Sequence, residues 1–459
     1  MIKINHISID GLFGYLSPKF SPSAENITII HGPNGCGKTS LLRLIKASLS
    51  IDSAELKRIE FKYIEIKFSN NTVLKISKHN TIPGKEAATE SKPKRAVGRA
   101  YVTYELTDAN SNTESHTLDP LKFSDLGMSG AVEYIDRTIS GIIRVGADAW
   151  LNRDTGEQFD SEELIDRYSE IIPNSRRTPI PPWMETLRKE ASPHLVQTQR
   201  LLRFQQITSS HYESRHSRSI NEVVEIYSSE IKETISKKLA ESVSIAQSRD
   251  RTFPTRLLEG EGMPDVSEEI LREKFNALEE KRKKLILAGL MGEEQGMPLP
   301  SKKLDNMEKK VIWLYLGDVE QKLEIFSDLQ NRIEAFMQIL NEKLQPKGKS
   351  FSITRDDGFC FNSEHGSMRK LPASVLSSGE QHQIVLFYEL LFRTKNHSLI
   401  LIDEPEISLH VNWQRVFLQD LERVVALTKA NVIIATHSPQ IINNRWDLTA
   451  ALDGGIRES

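Results

Sequence analysis

Apolar and polar residues alternate from Ile2 to Ile9, and after turns at Gly11 and Gly14 a short apolar run follows, Ile27-Thr28-Ile29-Ile30. A period of two marks a half-buried strand, and a brief apolar run bounded by turn residues fits a strand covered on both faces, so two strands are expected. From Thr39 to Leu49 the period lengthens: Leu41, Leu42, Leu44, Ile45 and Leu49 share one face of a helix. Alternation returns over Phe61 to Phe68 and Val73 to Ile76, a hairpin around Asn70-Asn71, and again over Tyr101 to Leu106. Between about Ser219 and Leu344 the pattern is helical and charged. Leu271, Phe275, Leu278 and Leu285 mark one amphipathic helix, and Val319, Leu323, Phe326, Ile333, Phe336, Leu340 and Leu344 mark another, with a Gly- and Pro-bearing stretch between them. This spacing predicts a helical hairpin whose first arm reaches about 30 to 35 Å, a stub and not an extended coiled coil. The last part alternates strand and helix. Strands are expected at Phe351 to Thr354, Leu399 to Ile402 and Val432 to Ala435, and helices at Val385 to Phe392 and Trp413 to Leu427. Such alternation implies parallel strands with helical crossovers. The fold class is α/β, a mixed sheet and a parallel core interrupted by a short helical-hairpin insertion, with lobes at 1–215, 216–346 and 347–459.

Composition narrows the function classes. At 459 residues the chain has room for two or three lobes, and 38% hydrophobic with 27% charged residues describes an ordinary globular protein. A formal charge of −3 means that any nucleic-acid contact has to come from a local basic face. The two cysteines, Cys36 and Cys360, can build neither a disulfide framework nor a four-thiolate zinc site, which fits a reducing cytoplasm. No stretch approaches the roughly 18 apolar residues of a membrane span, and the opening MIKINHISIDGLFGY lacks the apolar core of a secretion signal; no membrane partner is expected. Between Lys78 and Arg99 the chain loses its apolar residues and holds six Lys or Arg against two Glu. That stretch reads either as a solvated surface excursion or, from Lys92 to Arg99, as a contact for DNA or a partner. Residues 107 to 190 carry no functional signal.

Four short stretches carry chemistry. Gly32-Pro33-Asn34-Gly35-Cys36-Gly37-Lys38-Thr39 is a GxxxxGK[ST] pattern between an apolar strand and a helix. A phosphate chain needs converging backbone N–H groups, which a glycine-rich turn brings close, and a helix N-terminus adds a favourable dipole. Gly32, Asn34, Gly35, Gly37, Lys38, Thr39 and Ser40 are therefore the candidate cradle, with Lys38 neutralising β and γ oxygens and Thr39 reaching Mg²⁺. Leu399-Ile400-Leu401-Ile402-Asp403-Glu404-Pro405 is an apolar run ending in paired carboxylates, either a solvated turn or the edge of a site. Beside a phosphate loop, Asp403 would hold the Mg²⁺ water shell and Glu404 would polarise an attacking water. Leu376-Ser377-Ser378-Gly379-Glu380-Gln381 opens a helix, as plain capping or as a second anion cradle built on Ser378, Gly379 and Glu380. Ala435-Thr436-His437-Ser438-Pro439 follows a strand, where His437 is either structural or placed to sense a γ-phosphate.

GPNGCGKT, LSSGEQ, LIDEPE and ATHSP, in this order and with a long insertion after the first, resemble the ABC-type ATPases of the Rad50, SMC and RecF branch. The resemblance implies ATP and Mg²⁺ as cofactors, Walker A roles for Lys38 and Thr39, Walker B roles for Asp403 and Glu404, a signature at Ser378 and Gly379, and a switch histidine at His437. It places a D-loop at Ser408-Leu409-His410, along a dimer seam. It also implies a metal-linked Q-loop glutamine in His194-Leu195-Val196-Gln197-Thr198-Gln199-Arg200, Gln199 ahead of Gln197. One departure is Leu12-Phe13-Gly14-Tyr15, where many relatives carry an arginine near the adenine. More narrowly, DEPEISLH with ATHSP resembles the ATPases of overcoming-lysogenisation-defect nucleases and of two-gene phage-defence systems, PARIS (the AriA ATPase) and then Septu (the PtuA ATPase). The nucleases append a Toprim domain, for which Trp446 to Ser459 leaves no room, so a nuclease effector is expected on a separate chain. The resemblance thus implies an antiphage sensor that, as a homodimer or higher homo-oligomer, holds a nuclease or toxin until a phage-encoded trigger arrives. A DNA-repair or recombination ATPase that grips DNA between closed heads is the alternative. A transporter nucleotide-binding subunit is a third, opposed by the large helical insertion.

Overall fold

The computed structural model describes residues 3–452 apart from 24, 34, 80–100, 119–126, 140, 147, 153–157, 169–170, 173–179, 198–219, 260–265, 293–298, 300 and 364–369. The chain divides into two compact units, Met1–Ile220 with Phe392–Ser459, and Asn221–Leu391. The boundary expected at residue 347 falls inside the second unit, which continues through the helix that LSSGEQ opens.

The first unit is built on a five-stranded parallel sheet in the order Pro193–Gln197, Leu399–Asp403, Asn431–Thr436, Ile27–His31, Thr449–Ala451. Leu399–Asp403 is buried at every position, as a strand covered on both faces must be. A second, antiparallel sheet of six strands runs Lys19–Phe20, Ile4–Asp10, Tyr63–Phe68, Val73–His79, Tyr101–Thr107, Thr113–Leu118. Here the alternation is visible in burial: Ile64, Ile66 and Phe68 point inward, and Tyr63 and Glu65 are only half-buried. The expected hairpin turns at Asn71, whose φ is 61°.

Helix Lys38–Ser50 joins the two sheets. Leu41, Leu42, Leu44, Ile45 and Leu49 share one continuous core with Leu401 and Ile433 of the parallel sheet and Ile64, Ile76 and Tyr104 of the antiparallel one. Tyr104 is fully buried and donates its hydroxyl to the Ser48 carbonyl at 3.1 Å, the partner a buried phenol requires. The stretch without functional signal contains a small core of its own. Helices Gly127–Thr138 and Ser161–Arg167 and the strands Ile142–Gly146, Ala149–Asn152 and Gln158–Phe159 bury Trp150, Ile135 and Leu164.

The second unit contains the expected hairpin, in which helix Glu268–Leu287 lies against helix Asn306–Glu324 with Lys274–Glu320 and Lys281–Glu324 ion pairs between them, and it carries more helix than expected. Helix Glu268–Leu287 has the expected length, but it is preceded by helix Ile220–Glu259, whose 40 residues span about 60 Å. Beyond Ile235 no residue of that helix is buried, so it has no apolar stripe to advertise it. The second expected helix is broken at Ile325–Phe326 into Asn306–Glu324 and Ser327–Leu344. The strand expected at Phe351 to Thr354 does not join the parallel core. As Lys349–Thr354 it pairs antiparallel with Gly358–Ser363 in a three-stranded sheet, turning through Asp356-Asp357-Gly358 with Gly358 at φ 73°. The turn signal Asp-Gly explains the local pairing.

Candidate functional site

The site lies at the carboxyl ends of the parallel strands, where an open α/β sheet gathers its ligands. Strand Ile27–His31 delivers the chain into the phosphate loop. Gly35 and Gly37 take φ of 83° and 86°, the left-handed region in which a side chain is strained, and Gly37 caps helix Lys38–Ser50 in that conformation. A Cβ on Gly37 would also lie 3.1 Å from Leu12 and 3.2 Å from Phe13. The Leu12-Phe13-Gly14-Tyr15 turn therefore packs directly against the phosphate loop.

Lys38 is almost fully buried, at 4% exposure. Its Nζ donates to the carbonyls of Gly32 (2.9 Å) and Pro33 (3.1 Å) and lies 3.2 Å from Nδ1 of His437, 399 residues away in sequence. An ammonium only donates, so Nδ1 accepts and the neutral imidazole carries its proton on Nε2. Nε2 lies 3.5 Å from Oε1 of Glu404. Thr39 Oγ1 donates to Asp403 Oδ1 at 3.1 Å. Phosphate loop, paired carboxylates and histidine, distant in the chain, thus converge on one spot.

The carboxylates are placed by strand and turn. Asp403 ends the buried strand. Glu404 takes φ 47°, ψ 57°, a conformation costly for a side chain of this size, and its N–H is held by the Ala435 carbonyl at 2.8 Å. Burial pushes the Asp403 carboxyl up from 3.8 to about 6; the Thr39 hydroxyl and Lys38 oppose the shift, while Glu404 and Glu406 add to it. A hydroxyl and a carboxylate already in contact form the hard oxygen donor set that suits Mg²⁺, and the cation would relieve that electrostatic cost.

Gln197 ends strand Pro193–Gln197 in register with Asp403. Gln199, Asn34 and the basic Lys92 to Arg99 stretch lie outside the described residues. Ser40 follows Thr39 in the first turn of its helix and is half-buried. His410 of the D-loop stretch caps helix Val411–Thr428, accepting the Asn412 N–H at 3.4 Å.

In the second unit, helix Ser378–Tyr388 starts with Ser377 as its cap, so Ser378 and Gly379 occupy the first turn, where N–H groups have no helical acceptor. Glu380 completes a capping box: Ser377 N–H donates to its Oε2 at 2.8 Å, and Ser377 Oγ accepts the Glu380 N–H. Lys347 and Lys349 also reach its carboxylate, at 3.1 and 2.9 Å. Burial raises the Glu380 pKa, but the bonds from Lys349, Ser377 and Lys347 outweigh it and leave the group below its ordinary value. Its carboxylate is occupied in positioning the helix start.

Sequence reasoning missed Glu406 and Gln414. Glu406 accepts the His437 N–H, and Gln414 bonds to both the carboxylate turn and Ser438. The signal for Glu406 was present: a third acid three positions after Asp403, following a helix-starting proline.

The family model AAA_15, described as AAA ATPase domain, matches residues 3–442. No curated protein matches the chain. Among solved structures, it is similar to the Smc head domain with an extended coiled coil bound to the C-terminal domain of ScpA from Pyrococcus furiosus, at 15% identity and a TM-score of 0.34, covering 99% of this chain and 97% of that one. It is also similar to SmcHead bound to the C-winged helix domain of ScpA, at 13% identity and a TM-score of 0.32, covering 99% and 98%.

Proposed function

The chain belongs to the AAA ATPase domain family and is an ATPase, and from that premise we propose that it works as an ABC-type head whose reaction centre is completed by a second copy. The observation that carries the ATPase chemistry is the convergence of Lys38, His437 and Glu404 beside the Thr39–Asp403 contact. Lys38 balances phosphate charge. Glu404 takes a proton from the attacking water, and Nε2–H of His437 steadies its carboxylate. Thr39 and Asp403 would hold Mg²⁺, which when bound neutralises β and γ oxygens of the triphosphate. Ser378 and Gly379 present free N–H groups to the γ-phosphate held by the partner copy, so that ATP joins two heads and hydrolysis releases them.

The same reading takes the assembly to be a bacterial antiphage sensor that retains a separate nuclease effector and frees or activates it when a phage-encoded trigger arrives. Its support is the resemblance of DEPEISLH and ATHSP to such ATPases. Among the described residues no helix is long and apolar enough to cross a membrane.

Glu404→Gln removes the base and keeps the shape. With ATP it should accumulate as a dimer by light scattering while binding nucleotide normally; a variant that stays monomeric at saturating ATP refutes the shared site. Co-expression with neighbouring genes tests the effector, and a purified chain that brings down no stoichiometric nuclease counts against that role.

A further inference from the structure

The phosphate chemistry above leaves unused the two side chains that tie the carboxylate turn to the loop bearing His437. The sheet ladder ends at Thr436, paired with His31, so the main chain of His437 has no strand neighbour to place it. Glu406, on the turn Pro405–Ser408, supplies the missing acceptor: its Oε1 takes the His437 N–H at 2.7 Å. Gln414, in helix Val411–Thr428, donates from Nε2 to the carbonyls of Glu406 (3.2 Å) and Leu409 (3.1 Å). Its Oε1 accepts the Ser438 hydroxyl at 2.8 Å. One side chain grips His437 at its own amide, and the other grips the next residue and the turn that carries Glu406.

Glu406 uses Oε1 for this bond, and its Oε2 is buried without a hydrogen-bond partner among the described residues, so the His437 amide is where its acceptor capacity is used. We propose that Glu406 and Gln414 are positioning residues that clamp the His437 loop to the carboxylate turn and so keep the imidazole between Lys38 and Glu404. The clamp deepens the ATPase reading and rests on it for its consequence, though its geometry can be tested separately.

The test uses the full chain with Glu406→Ala, Glu406→Gln and Gln414→Ala, beside wild type and Lys38→Ala. Glu406→Ala should lower kcat by on the order of 10- to 100-fold, as misplacement of a catalytic group does. KM and the affinity for a fluorescent ATP analogue should stay within about twofold, because neither Glu406 nor Gln414 belongs to the phosphate loop or bonds to the Thr39–Asp403 pair. Glu406→Gln, whose carboxamide oxygen still accepts the amide, should recover most of the rate, and Gln414→Ala should fall between. In nucleotide-free protein labelled with ¹⁵N-histidine, the His437 amide proton should move upfield in Glu406→Ala and remain near its wild-type position in Glu406→Gln. An unchanged kcat in Glu406→Ala, a loss that Glu406→Gln does not recover, or an unmoved amide resonance overturns the clamp. Equal turnover by wild type and Lys38→Ala would instead sink the ATPase site, and the amide resonance would still decide the clamp.

Discussion

Removing the charge of Asp403 is expected to stabilise the nucleotide-free protein even as it takes a carboxylate from the proposed magnesium site. The side chain is 5% exposed and its pKa is raised from 3.8 to about 6, first by burial and then by Glu404 and Glu406. A rise of about two units corresponds to about 3 kcal/mol. The unfolded carboxyl titrates near its ordinary value and the folded one higher, so between the two the folded state binds more protons. The associated stability is complete below about pH 4 and is lost as pH rises through about 6. At neutral pH the folded protein therefore carries the whole cost. Asparagine keeps an oxygen for the Thr39 hydroxyl and removes the charge. Asp403→Asn should be more stable than wild type by up to about 3 kcal/mol above about pH 7, with the gap closing towards about pH 4. Denaturant unfolding in chelator without nucleotide, followed across that range, measures it. With magnesium and ATP the order should reverse, because the wild type alone gains the linked binding energy. A variant less stable than wild type at neutral pH, or a gap that widens on acidification, refutes the account of the site as electrostatically loaded.

Gly289→Ala should unfold or severely destabilise the second unit, by at least about 3 kcal/mol, since φ is +71° and the new Cβ would stand 2.1 Å from the Ile353 carbonyl oxygen; an unchanged denaturation midpoint refutes this. Asp318→Ala breaks a bidentate pair in which Nη1 and Nη2 of Arg256 each donate at 2.8 Å, and should cost about 2–3 kcal/mol in the same unit while leaving nucleotide affinity intact. Loss of ATP affinity in that variant would contradict the confinement of the effect to the unit that carries the pair.

The parts of the site legible in the sequence were those governed by local geometry. A phosphate loop needs positive φ at fixed positions, and glycine stands at Gly35 and Gly37, so the pattern and the backbone are one constraint seen twice. The carboxylates ended an apolar run, and that run is a fully buried strand. What periodicity could not show was structure made without burial. Helix Ile220–Glu259 buries no residue beyond Ile235 and is held there by polar contacts such as the Arg256–Asp318 pair, so no apolar stripe reported its length. Phe326 continued the apolar spacing across the break between two helices because it is buried at the junction itself. Gln414 stayed hidden for another reason: it acts on carbonyls of the carboxylate turn and on the Ser438 hydroxyl, which only the assembled sheet brings within its reach.

That same assembly couples occupancy to the histidine. Without nucleotide the Lys38 ammonium is shared among two neutral carbonyls and the His437 Nδ1. An anionic phosphate oxygen is a stronger acceptor than any of these, so binding is expected to draw Lys38 away and leave Nδ1 without its donor. The imidazole then keeps its Nε2 contact with Glu404 only if its loop cannot drift, because 3.5 Å is already long for a directional bond. The Glu406 grip on the His437 amide is unaffected by that exchange, since it involves neither Lys38 nor phosphate. A loop fixed through its backbone can therefore surrender one side-chain contact and retain the other, which is what the proposed reporting of the γ-phosphate to Glu404 requires.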